Sequence, residues 1–209
     1  MIRTERREAA FAFPFVTYAP ENTHGPLPLV LQLHGAGERG NGREELSRVD
    51  VHGFSALLRE RDYPCLAVMP QCPSDTFWAA RVESILAFIG QLTRAYAIDP
   101  TRIYLTGLSM GGFGTWYTAM AQPSLFAAIA PICGGGMAWN AAVLDMPVWA
   151  FHGAADDTVC VAHSDEMVAA LRAAGRDVTY TRPDGVGHGV WVQAYTDELM
   201  QWLLQHKRS

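Results

Sequence analysis

"YLTGLSMGGFGTW", residues 104–116, sets one serine among four glycines directly behind an apolar run. Glycine costs stability inside a strand or a helix, so Gly107, Gly111 and Gly112 around Ser109 need a reason in the backbone. Two readings are open: a tight turn that holds a small residue, or a turn built to present the Ser109 hydroxyl. Residues 102–109 read as a strand and 110–122 as a helix ending at Pro123. Ser109 then lies at the carboxyl end of a strand, the edge at which open α/β sheets bind ligands.

The same alternation continues on both sides of this stretch. "LPLVLQLHG" (27–35), "CLAVMPQCP" (65–73), "FAAIAPICGGG" (126–136), "MPVWAFHG" (146–153) and "DVTYTRP" (177–183) read as further strands. Helices are expected over 53–62, 81–99 and 161–175, with one closing helix over 190–206. In the second of these, Val82, Ile85, Leu86, Ile89 and Leu92 recur at helical spacing. "AAFAFPFVTYAP" (9–20) adds one or two antiparallel edge strands. Continuous apolar strands alternating with helices predict a three-layer α/β/α sandwich on a mostly parallel sheet. Residues 1–209 are expected to form a single domain. The short segment between the strands at 126–136 and 146–153 leaves no room for a cap domain.

Composition narrows the function classes. The 209 residues are 49% hydrophobic and 18% charged, with a net charge of −5. No basic stripe is present, so no nucleic-acid partner is expected. No apolar run reaches the roughly 18 residues of a membrane span, so no membrane partner is expected either. "MIRTERREAAFAFPF" lacks the layout of a signal peptide, which points to a cytoplasmic protein. The tail "HKRS" reads as a solvated end. Cys65, Cys72, Cys133 and Cys160 are scattered; Cys65 reads as a core residue, and reduced thiols are favoured over disulfides. No cluster has zinc-ligand spacing, so neither a metal nor another cofactor is expected. Nothing in the chain assigns an oligomeric state.

"GLSMG" (107–111) fits the nucleophile elbow G-x-S-x-G. A serine hydroxyl needs a positioned base, and in this class of sheet the chain order is serine, carboxylate, histidine. Both slots are filled: Asp156 and Asp157 follow the strand at 146–153, and His188 in "DGVGHGVW" (184–191) follows the strand at 177–183. His34 and His152 each precede a strand-ending glycine and read as structural. His24, His52 and His206 fall in loops or helix ends, and His163 begins a helix. Trp78 and Trp191 either wall a cleft or pack over the core edge. Glu38 and Arg39 read as a structural ion pair.

The motifs "LHGAGERG" (33–40), "PQCP" with Trp78 beyond it, "GLSMGG" (107–112), "FHGAADDTV" (151–159) and "GVGHGVW" (185–191) span nearly the whole chain. In this order the chain resembles the small α/β-hydrolases of the carboxylesterase/phospholipase group, in particular their feruloyl-esterase-like and predicted-peptidase relatives. The resemblance implies Ser109 as nucleophile and His188 as general base and then acid. It implies Asp156 as the carboxylate, counted from Gly153 and Val159, with Asp157 as the alternative. An oxyanion needs backbone donors: Met110 after the nucleophile, at a helix start, and by resemblance Ala36, with Gly35 or Gly37 if the loop shifts. The implied function is a serine esterase cleaving short acyl or aryl esters through an acyl-enzyme, in an open groove, on a small-molecule ester substrate. A peptidase or an acyltransferase would use the same three residues. A non-catalytic binding protein on the same fold is the reading from another class.

Overall fold

A computed structural model of the chain describes residues 1–22 and 24–208. Eight strands form one sheet: β1 (Ile2–Arg6), β2 (Phe15–Ala19), β3 (Leu27–Leu33), β4 (Leu66–Pro70), β5 (Ile98–Leu108), β6 (Ala128–Ile132), β7 (Val148–Phe151) and β8 (Val178–Thr181). They lie in the order β1-β2-β4-β3-β5-β6-β7-β8. The pairs β1/β2 and β2/β4 are antiparallel and the remaining pairs are parallel. Six helices cover the sheet: α1 (Gly53–Glu60), α2 (Val82–Ala95), α3 (Met110–Ala121), α4 (Ala162–Ala173), α5 (Trp191–Ala194) and α6 (Asp197–Gln205). This is the expected α/β/α sandwich. Residues between β6 and β7 carry only a 3-10 turn, Ala138–Val143, and no cap.

The period of two along each strand divides the core between the two faces. Leu29, Leu31 and Leu33 of β3 point to the side that holds Ile85, Phe88, Ile89 and Leu92 of α2, together with Trp116 and Met167. Val30 points to the other side, with Phe54 and Leu58 of α1 and Leu199, Met200 and Leu203 of α6. Strands apolar on both faces can therefore only lie between two helical layers.

Three local expectations change. The closing segment is two helices, because Tyr195 leaves helical geometry and Thr196 is extended, its side chain accepting from the Leu199 N–H as an N-cap. The break lets the Tyr195 ring sink into the core, where its hydroxyl accepts from Gln32 Nε2 at 3.4 Å. One antiparallel strand arises within 9–20, but it is not at the edge: it lies between β4 and β1, and β1, which precedes that segment, forms the edge. The basic tail is docked: Arg208 bonds the Asp145 carboxylate in bidentate fashion at 2.9 and 2.8 Å, and its backbone N–H donates to the Thr101 carbonyl.

Among the described residues no helix is long and apolar enough to cross a membrane. All four cysteines are free; Cys65, Cys72 and Cys133 are buried and Cys160 is exposed.

Candidate active site

β3 and β5 run parallel with Leu33 opposite Gly107, so the loops after them leave the sheet side by side. Ser109 is the turn between β5 and α3, with φ 54° and ψ −117°. A non-glycine residue there costs on the order of 1–3 kcal/mol. The turn is pinned by the Ser109 N–H to the Ile132 carbonyl at 2.9 Å and by the Phe113 N–H to the Ser109 carbonyl at 3.1 Å. The glycines answer the question their spacing raised. A Cβ on Gly111 would lie 1.9 Å from the Leu33 carbonyl oxygen, and one on Gly107 would lie 2.4 Å from that of Gly111. The helix start presses against two strand ends, and only glycine fits there.

The loops after β7 and β8 bring up the partners. They are joined by backbone hydrogen bonds from His152 to Thr181, Ala154 to Pro183 and Ala155 to Val186. Gly153 lies so close to Val186 that a Cβ would meet its carbonyl oxygen at 2.3 Å. Across this seam the Asp156 carboxylate accepts from His188 Nδ1 at 2.7 Å, and His188 Nε2 stands 2.9 Å from Ser109 Oγ. Asp156 is fully buried at its side chain, whereas His188 and Ser109 are half-buried and reachable from solvent. Burial works to raise the Asp156 carboxyl. The hydrogen bonds from His188 and from the Val159 and Thr158 N–H groups outweigh it and hold the group below the usual range. Asp157 is exposed, its carboxylate accepting from the Thr158 hydroxyl at 3.3 Å.

Met110 and Ala36 are each the first residue of a helical turn, α3 and the 3-10 turn Ala36–Glu38. Their N–H groups therefore have no carbonyl within their own turns. The Ala36 loop lies beside the serine, since a Cβ on Gly35 would be 3.8 Å from Ser109 Cβ.

A cleft of about 420 Å³ adjoins this end of α3, lined by Phe77, Ala79, Met110, Phe113 and Tyr117. Phe77 is 53% exposed. Of the two tryptophans, Trp78 is a core residue, fully buried with Nε1 donating to the His34 carbonyl at 3.0 Å. Trp191 borders the site, its ring edge-on to His188 at 5.3 Å. Glu38 and Arg39 are not paired: Glu38 faces His52 Nε2 at 3.1 Å, and Arg39 donates to the carbonyls of Ala36 and Thr76. The four cleft residues beyond Met110 escaped the sequence reading. Met110, Phe113 and Tyr117 share one face of α3, so their spacing behind the elbow is the signal that marks them.

Cys133 Sγ, an Asp156 oxygen and a His188 ring nitrogen lie within 4.8 Å of one another, the one such cluster among the described residues. Its chemistry favours protons over an ion. Asp156 and His188 are already bonded to each other, and burial pushes the Cys133 thiol up to about 12.

A sequence profile of the phospholipase/carboxylesterase family matches residues 66–203. The bifunctional acetylxylan esterase/xylanase XynS20E of Neocallimastix patriciarum is 30% identical over 164 residues, covering 76% of this chain and 23% of that protein. The poly(3-hydroxyalkanoate) depolymerase C of Paucimonas lemoignei is 32% identical over 133 residues, covering 56% of this chain and 30% of that protein. A crystal structure of a thermostable esterase superposes with a TM-score of 0.82 at 32% identity, covering 99% of this chain and 63% of that one. The chain thus spans less than a third of these curated relatives' length and under two thirds of that esterase's.

Proposed function

Since the chain belongs to the phospholipase/carboxylesterase family of α/β-hydrolases, we propose that it hydrolyses carboxylic esters through an acyl-enzyme formed on Ser109. The reading rests on one observation, the continuous line of hydrogen-bonding atoms from Ser109 Oγ through His188 to buried Asp156 at 2.9 and 2.7 Å. Ser109 Oγ attacks the ester carbonyl carbon while His188 Nε2 takes its proton. The negative charge on the carbonyl oxygen is met by the N–H groups of Met110 and Ala36, and one such donor is worth about 2.7–4 kcal/mol in the transition state. Collapse breaks the bond to the alcohol oxygen, which leaves with the proton from His188. Water then repeats the sequence on the acyl-enzyme, and Ser109 is regenerated. Asp156 holds the His188 tautomer and stabilises the imidazolium.

The acyl or aryl portion of the substrate occupies the cleft of Phe77, Ala79, Met110, Phe113 and Tyr117. Its mouth is unroofed, because no cap covers the β6–β7 crossing, and this favours short acyl and aryl esters over long chains. The test is hydrolysis of p-nitrophenyl acetate, butyrate and octanoate and of a methyl hydroxycinnamate, with wild type and Ser109→Ala. Acetate and butyrate, or the hydroxycinnamate, outrun the octanoate, and Ser109→Ala abolishes turnover of each. Undiminished turnover in the variant overturns the mechanism, and preference for octanoate overturns the open-cleft reading.

A further inference from the structure

The Asp156 carboxylate is held by more than the histidine it faces. Its Oδ1 accepts from the Thr158 and Val159 N–H groups, each at 2.9 Å. Its Oδ2 accepts from His188 Nδ1 at 2.7 Å, and a second imidazole, His152, brings Nε2 to 3.2 Å of the same oxygen. Three N–H donors thus hold the carboxylate, and the His152 ring lies against the oxygen that faces His188.

His152 is fully buried just beyond the end of β7. Its Nε2 faces two acceptors, Asp156 Oδ2 and the Val159 carbonyl at 2.9 Å. That nitrogen must therefore carry a hydrogen. In the neutral ring Nδ1 is then an acceptor, and Ser164 Oγ on α4 stands 2.7 Å from it. Ser164 is itself buried, and its one hydroxyl hydrogen is shared between His152 Nδ1 and the Gly134 carbonyl at 2.9 Å, tying the assembly to the loop after β6. Burial favours the neutral ring, against the pull of the Val159 carbonyl and Asp156. The titratable groups facing this assembly are Asp156, His188, Cys133 and, on α4, Asp165.

We propose that His152 is a positioning residue for the catalytic carboxylate, its Nε2–H shared between the Val159 carbonyl and Asp156 Oδ2 so that the carboxylate stays in line with His188, its tautomer set by those two acceptors and its ring held from behind by Ser164. The inference rests on the reading of Ser109, His188 and Asp156 given above. It makes the reacting line longer than three residues: Ser164, His152, Asp156, His188, Ser109. By drawing off part of the Asp156 charge, His152 also limits how strongly that carboxylate stabilises the imidazolium of His188.

The test uses the intact chain with p-nitrophenyl acetate, and rates are counted per site titrated by a fluorophosphonate. His152→Leu lowers kcat tenfold or more, leaves KM within about twofold, and moves the acid limb of the kcat/KM profile to higher pH. His152→Gln, which keeps an N–H near the Nε2 position, restores most of kcat. Ser164→Ala lowers kcat severalfold and moves the limb in the same direction. Combined with Asp156→Asn, His152→Leu costs no more than Asp156→Asn alone, because both act through one group. A folded His152→Leu with wild-type kcat per titrated site and an unmoved acid limb overturns the proposal. Should His152→Leu fail to fold, wild-type kcat and acid limb in Ser164→Ala overturn it instead. Undiminished activity in Ser109→Ala or Asp156→Asn refutes the underlying esterase mechanism, which is a separate failure.

Discussion

Two adjacent aspartates at 156 and 157 show how much a single side chain's setting decides. By sequence either could orient His188, since both follow the same strand. The backbone turns Asp156 into the seam between the β7 and β8 loops, where three N–H donors and the His152 ring surround it, and leaves Asp157 facing solvent. Asp156→Asn keeps the shape but presents an N–H or a weak acceptor to His188 Nδ1, and kcat is expected to fall by about 10⁴. Asp157→Asn is expected to change kcat less than twofold. Steady-state kinetics on p-nitrophenyl acetate check both, and the reverse ranking would reassign the carboxylate. The serine was legible because glycine at fixed offsets has few other uses. The role of His152 was not, because its partners are a backbone carbonyl and a carboxylate in the loop that follows it and a serine on α4, which no periodic pattern connects.

At the scale of elements, the strand–turn–helix of β5 and α3 is rigid for a steric reason. Gly111→Ala places a methyl group 1.9 Å from the Leu33 carbonyl oxygen, and backbone cannot yield as a flexible side chain does. A loss of about 4 kcal/mol or more is expected, in the exceptional range for a point change. Gly37→Ala meets nothing within 4 Å and should alter stability by less than about 0.5 kcal/mol. Urea unfolding of the two variants makes the comparison, and equal losses would contradict the close-packed elbow. The parallel strands and the long helices were readable from apolar continuity and helical spacing. The break before α6 was signalled by Thr196-Asp197-Glu198, a capping residue followed by acids, but the apolar residues on either side run on in a helical pattern and mask it. β1 is hidden for a different reason: Arg3, Glu5 and Arg6 are polar residues of an edge strand that takes part in the sheet through its backbone pairing with β2.

For the molecule as a whole, pH acts through its buried histidines before its carboxylates. His34 is nearly enclosed; Nδ1 lies 2.6 Å from the Gly35 carbonyl and Nε2 accepts from the Cys72 N–H at 2.9 Å. A second proton would have to sit against that N–H. Burial, partly opposed by the Gly35 carbonyl and Glu38, lowers its pKa to about 4 from 6.5. Because the folded value lies below the unfolded one, the fold keeps the full benefit of neutral His34 above pH 6.5 and loses it as pH falls through about 4. The loss is on the order of 3 kcal/mol, and His152, lowered chiefly by burial, adds to it in the same direction. Chemical denaturation between pH 7 and pH 4 should show this decline, and His34→Gln should flatten its His34 portion; a flat wild-type profile would contradict it. The account as a whole stands on Ser109 as the nucleophile, and the most direct measurement is mass spectrometry of the protein treated with a fluorophosphonate. A single adduct on the peptide carrying Ser109, formed in step with loss of ester hydrolysis and absent from Ser109→Ala and His188→Ala, is the predicted result. An adduct on another residue, or full hydrolysis by protein labelled at Ser109, would contradict it.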